Sequence, residues 1–244
     1  MISMESGTPS AEASRDSAAA IFQREWRLYR KMVDNNYLFH REAYSRLRRV
    51  LLEDAVRPFR FLDLACGDAT ATAAALKGTE IASYCGVDLS VEALDLASAA
   101  LANVGCPVTL RRSDFVEALA GRPEPVDVVW IGLSLHHLRA PAKLDVMRAA
   151  HRLLDGHGML LVYENASPDG EDRETWLERW DFQEHDWTGL SPDEWGRMAA
   201  HVRTHDFPET VPRWRELGRE AGFGTAQELF VAPTNLFRLF SFRP

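Results

Sequence analysis

Three aspartates close three short apolar runs. Asp63 follows Phe61 and Leu62, Asp88 ends the run from Ile81 to Val87, and Asp114 comes shortly after Val108-Thr109-Leu110. A carboxylate at such a point suits a cationic ligand, such as an amino acid's ammonium. Asp88 stands 25 residues beyond Asp63, placed to accept both hydroxyls of a ribose. Between them, Ala65-Cys66-Gly67 supplies small residues that let the backbone approach a ligand. Further on, two more apolar runs deliver Ser134-Leu135-His136-His137-Leu138 and Glu164. Imidazoles and carboxylates are the groups that move protons near neutral pH, so His136, His137 and Glu164, with His205 beside Asp206, are the acid–base candidates. Each residue also has a plainer reading: Asp114 can cap the short helix after it, and the histidines can be surface groups.

The elements that must position these groups alternate. Pro58 and Gly67 bracket the run Phe59–Leu64 as a buried strand, and the alanine-rich stretch Ala69–Leu76 reads as the helix after it, stopped at Gly78. Strands are expected over 81–87, 108–110, 126–133 and 159–163, with helices over 91–103, around 116–119 and from Pro141 to the stop at Gly156. Glu164 then stands at the tip of the fifth strand. Ligands of open parallel sheets bind beyond such strand ends. A dinucleotide fingerprint, G-x-G-x-x-G, would fall on Ala65, Gly67 and Thr70 and matches at one position in three, which speaks against a nicotinamide oxidoreductase.

Asp63-Leu64-Ala65-Cys66-Gly67-Asp68-Ala69 resembles the first motif of the class I S-adenosylmethionine-dependent methyltransferases, acidic-x-Gly-x-Gly-x-Gly, with Ala65 and Ala69 in place of glycine. The Ser-Leu-His-His-Leu run resembles the loop that borders the methyl group in small-molecule members. Members that methylate adenine or amides usually carry Asn/Asp-Pro-Pro-Tyr/Phe there. The resemblance implies an α/β fold: a Rossmann-like, mostly parallel seven-stranded sheet with an antiparallel C-terminal strand, N-terminal helices and a helical cap before strand six. It implies S-adenosyl-L-methionine as cofactor and S-adenosyl-L-homocysteine as product. The cofactor rim it implies comprises Asp63, Ala65, Gly67, Asp88, Leu89, Asp114, Phe115 and Leu133, with Asp114 and Phe115 at the adenine.

The flanks complete the reading. Residues 1–17 are Ser-, Ala- and Glu-rich and read as a tail; 18–56 read as two helices joined near Asn35-Asn36. Related enzymes often close such helices over the site, which makes Tyr29, Tyr37 and His40 substrate candidates. Five of the seven tryptophans fall between 165 and 224, and that aromatic stretch suits a cap over the substrate, with Trp195 as a candidate contact. Ser191-Pro192-Asp193-Glu194 is a capping box that starts a helix there. His201 and His205, four apart on that helix, could chelate a metal, but no third ligand stands at metalloenzyme spacing, so no metal is expected. The domain from 57 to 244 therefore carries a cap insertion at about 165–224.

A net charge of −8 argues against a general nucleic-acid binder, although the basic residues of the first two helices leave nucleic-acid methylation as an alternative. A non-catalytic cofactor-binding module is the other alternative. Three cysteines with no C-x-x-C pair suit a reduced cytoplasmic setting, and neither a membrane span nor a signal peptide is evident. The expected partners are a small-molecule substrate and, within the family, a second copy in a homodimer.

Overall fold

The computed structural model describes residues 27–121 and 124–244; the expected tail and Phe22 and Trp26 of the first helix lie outside the described residues. Residues 27–34 form α1, followed across the Asn35-Asn36 turn by α2 (His40–Glu53). The predicted alternation then appears as β1 (Phe59–Leu64), α3 (Thr70–Leu76), β2 (Ile81–Asp88), α4 (Val91–Ala100), β3 (Val108–Arg112), α5 (Phe115–Ala120), β4 (Val126–Gly132), α6 (Ala140–Leu153) and β5 (Leu154–Ser167). The second half comprises α7 (Arg173–Asp181), α8 (Pro192–His205), a two-residue β6 (Glu209–Thr210), α9 (Val211–Ala221), β7 (Thr225–Val231) and β8 (Phe237–Arg243).

Strands pair in the order β3-β2-β1-β4-β5-β8-β7. The first five are parallel, and β8 inserts antiparallel between β5 and β7, as the family resemblance implies. The chain crosses to opposite sides of the sheet on leaving β1 and β4, which opens a crevice beyond their carboxyl ends. Successive residues of each strand face opposite ways, so two cores form. Phe61, Trp130, Leu161 and Tyr163 pack under α2, α3 and the tryptophans of the insertion. Leu62, Val129, Ile131 and Leu160 pack against α6 and α9.

The structure departs from the sequence reading most in β5, which starts at Leu154 and runs to Ser167 where 159–163 was expected, and in an added strand. An eighth strand, β6, pairs parallel with Ala166 and Ser167 at the end of β5. Glu164 is therefore not at a strand tip: β5 runs on through Ser167, and Glu164 sits within it opposite Arg238. The apolar run stops at Tyr163, but Phe237 and β6 continue to offer backbone partners, so the ladder extends into polar sequence.

The insertion folds as a cap. Ser191 and Glu194 form the predicted capping box of α8. Trp176, Trp180, Trp187 and Trp195 are all buried, and Trp180, Trp187 and Trp195 meet edge to face in succession. Tyr37 stacks on Trp187 at 4.9 Å while its hydroxyl accepts from the Gly189 N–H at 2.7 Å, and Lys31 pairs with Glu194 at 2.6 Å. The N-terminal helices and the cap are thus one packed unit over the sheet edge. No helix among the described residues is long and apolar enough to cross a membrane.

Candidate active site

The turn after β1 holds three residues in the left-handed region: Ala65 at φ 55°, Gly67 at φ 54° and Ala69 at φ 51°. Alanine there costs roughly 1–2 kcal/mol, so the two positions where the motif has glycine keep a glycine-like backbone at an energetic cost. A Cβ added at Gly67 would meet nothing within 4 Å, so this turn is open toward the crevice. The Asp88 carboxylate fixes the turn from the neighbouring strand, accepting from the Gly67 N–H at 2.9 Å and the Ser90 N–H at 2.9 Å.

Two cavities adjoin at Ala65. One, of about 300 Å³, lies among Asp88, Leu89, Asp114, Phe115 and His137. The other, of about 220 Å³, lies over the turn among Tyr29, Arg30, Gly67, Asp68 and Gly132. Asp114 caps α5 by accepting from the Val116 N–H at 2.8 Å and still lines the first cavity, so both of its readings hold together.

Asp63 takes a different place from Asp88 and Asp114. It is 1 % exposed, lines neither cavity, and accepts from the Tyr84 hydroxyl at 2.8 Å. Burial pushes its pKa from 3.8 up to about 7, with the hydrogen bonds from Tyr84 and Thr72 pulling the other way. Because the folded value is raised, stability is full below the unfolded pKa and falls as pH rises through the folded one. Asp63→Asn should therefore gain in unfolding free energy over wild type as pH goes from about 4 to 8, by at most about 4 kcal/mol, read from denaturant melts at each pH. A gap independent of pH across that window would mean that Asp63 is ionised throughout.

A third cavity, of about 150 Å³, lies under the cap among Tyr29, Leu133, His136, His137, Trp180 and Asp206. It shares Tyr29 with the second cavity and His137 with the first. Its floor is the 3-10 turn Leu135–His137 that follows β4, and Glu164 builds that turn. The fully buried Glu164 carboxylate accepts the backbone N–H groups of Ser134, Leu135 and His136, and meets His136 Nδ1 at 2.7 Å. Burial opposes both charges of this pair, yet each partner favours the other: the Glu164 pKa is lowered and that of His136 raised. With its oxygens so engaged, Glu164 is a positioning residue.

From the cap side Asp206 arrives, 3 % exposed, its Oδ2 accepting from Asn165 Nδ2 at 2.8 Å. Its Oδ1 has no hydrogen-bond partner among the described residues, and burial raises the carboxyl pKa. Lys143 fixes the segment just beyond. Fully buried on α6, its ammonium donates to the Phe207 carbonyl and pairs with Glu209 at 2.7 Å. Partial desolvation, with the neighbouring His136 acting the same way, pushes the half-exposed His137 down to about 4.

The remaining candidates separate by contact. Leu133, at φ 51°, lines the third cavity. Tyr29 and His40 both line the second, with Tyr29 Oη 3.2 Å from His40 Nε2. Tyr37 and Trp195 lie in the packing between α1 and the cap, and neither lines any of the three cavities. His205 is exposed and lines none of them either. Trp180, Asn165 and Asp206 occupy the wall that Trp195 and His205 were expected to supply. Helical periodicity marks the buried face of α7 but does not say which tryptophan on it reaches a cavity.

Residues 61–158, which carry this rim, match the family model described as a methyltransferase domain. No match is found among curated proteins. Among solved structures, an O-methyltransferase family protein from Burkholderia thailandensis is similar with a TM-score of 0.61 at 20 % identity, covering 87 % of this chain and 57 % of that one. The mitomycin 7-O-methyltransferase MmcR is similar with a TM-score of 0.56 at 16 % identity, over 89 % of this chain and 60 % of that one. The YcgJ protein from Bacillus subtilis gives a TM-score of 0.55 at 12 % identity, over 83 % of this chain and 96 % of that one. At these identities the likeness is one of fold. The chain spans little more than half the length of the first two proteins.

Proposed function

We propose that this chain transfers a methyl group from S-adenosylmethionine to an oxygen or nitrogen of a small-molecule acceptor. The observation that supports this most is the succession of three adjoining cavities. An aspartate-rimmed cleft leads over the open Gly67 turn to a small chamber floored by His136 and His137. The residues fit the cofactor: Asp88 has one N–H on each oxygen and keeps lone pairs for both ribose hydroxyls, and Asp114 and Phe115 stand where adenine would lie. Bound there, the cofactor supplies an electrophilic sulfonium methyl.

The chain's own contribution is positioning. Holding nucleophile and methyl in line is worth up to roughly 7–11 kcal/mol. Tyr29 and Trp180 wall the acceptor chamber, and the acceptor's proton leaves at the edge made by His136, His137 and Asp206. A chamber of about 150 Å³ suits a small acceptor better than a macromolecule, and the net charge of −8 disfavours a nucleic acid. Cys66, Cys85 and Cys106 are free thiols, which suits a reducing compartment.

The test combines calorimetry with a transfer assay. S-adenosylhomocysteine is expected to bind and NAD to leave the protein unshifted in thermal melts. Labelled methyl is expected on at least one acceptor in a panel of phenols, small acids and amines. Binding without transfer to any acceptor would favour the non-catalytic module instead, and strongly salt-dependent RNA binding would favour a nucleic-acid substrate.

A further inference from the structure

The histidines at the chamber floor do more than border an acceptor. His136 Nε2 lies 3.8 Å, His137 Nδ1 3.6 Å and His201 Nε2 4.0 Å from one and the same atom, Asp206 Oδ1. All three separations are too long for hydrogen bonds. The ligand atoms of His136, His137 and Asp206 all lie within 4.8 Å of one another. Oδ1 is buried and has no hydrogen-bond partner among the described residues, an arrangement that costs free energy unless something positive sits beside it. His136 Nδ1 donates to the Glu164 carboxylate, which leaves Nε2 on the side of that orphan oxygen. A metal ion between the two atoms would take the place of a ring proton on Nε2 and give Oδ1 the partner it lacks.

We propose that His136, His137 and Asp206 bind a divalent first-row metal ion of the zinc type, with the remaining coordination position open to the acceptor chamber. Ligand atoms around a tetrahedral ion with bonds of 2.0–2.1 Å stand about 3.3 Å apart, so the two histidine-to-carboxylate spacings of 3.8 and 3.6 Å need to contract by about half an ångström or less. Two nitrogens and a carboxylate oxygen form a donor set suited to such ions. The outer contacts of a metal centre are also present: Glu164 orients His136, and Asn165 holds the other oxygen of Asp206. His201, its ring centroid 5.5 Å from that of His137, closes the cap side. An ion there would bind an acceptor oxygen and lower its pKa. The assignment stands on the side-chain cluster alone, whatever reaction the chain carries out.

The experiment is a zinc(II) titration of untagged, chelator-stripped full chain by calorimetry, with metal retained after dialysis measured by mass spectrometry. One equivalent should bind with a Kd below about 1 µM. His137→Ala and Asp206→Asn should each weaken binding by roughly 100-fold or more, and Glu164→Gln by about 10-fold or more, while His185→Ala in the exposed part of the cap should match wild type. Circular dichroism establishes that each variant is folded. Should Asp206→Asn fail to fold, His137→Ala decides, because its side chain is 45 % exposed. Failure of the wild type to retain one equivalent at about 10 µM zinc, or wild-type affinity in His137→Ala, would overturn the assignment.

Discussion

Asp88→Ala is expected to weaken S-adenosylhomocysteine binding by roughly 100-fold or more. Two losses combine at this residue. The first is the paired acceptor for the ribose hydroxyls; each hydrogen bond to a charged group contributes about 1.5–3 kcal/mol, so two together correspond to that factor or a larger one. The second is the tether on the turn, since the same carboxylate accepts the Gly67 N–H and the Ser90 N–H. Asp88→Asn keeps one acceptor oxygen and should fall between wild type and the alanine variant. Titration calorimetry measures both, with thermal melts to confirm that the sheet is intact. An alanine variant that binds as wild type does would place the nucleoside away from the tip of β2.

Glu164→Ala should have the largest effect on stability, a loss of about 3–5 kcal/mol. The carboxylate is fully buried, and its removal leaves the N–H groups of Ser134, Leu135 and His136, and the His136 ring, without their acceptor. For a chain of this size the loss corresponds to a fall of about 6–20 °C in Tm. Methyl transfer should be lost as well, because the turn that floors the acceptor chamber loses its support. Glu164→Gln keeps the shape without the charge and should lie between the two in Tm. A melting curve for Glu164→Ala indistinguishable from wild type would mean that the turn is held by its own backbone.

These two residues show how differently position in the sequence informs. Asp88 ends an apolar run and precedes a serine that caps the next helix, and the structure has both features where the sequence puts them. Glu164 also ends an apolar run, yet the ladder carries on past it because β8 and β6 offer partners that no local pattern reveals. Asp63 looked like a cofactor ligand by its motif. Its alternation with Phe59 and Phe61, however, puts it on their face of β1, where it meets the Tyr84 hydroxyl instead of the crevice.

The alternating strands and helices, the small-residue turn after β1 and the capping box of α8 could all be read from the residues in order. Each depends on neighbours a few positions away, and chain stereochemistry allows few alternatives. The meeting of Asp206 with His136 and His137 could not be read in that way. Asp206 lies beyond α8, and it reaches the floor of β4 because tryptophans seat the cap and Lys143 holds the segment just past it to α6. Packing between distant parts of the chain has no period in the sequence, so the chemistry of this chamber was settled when the cap closed on the sheet.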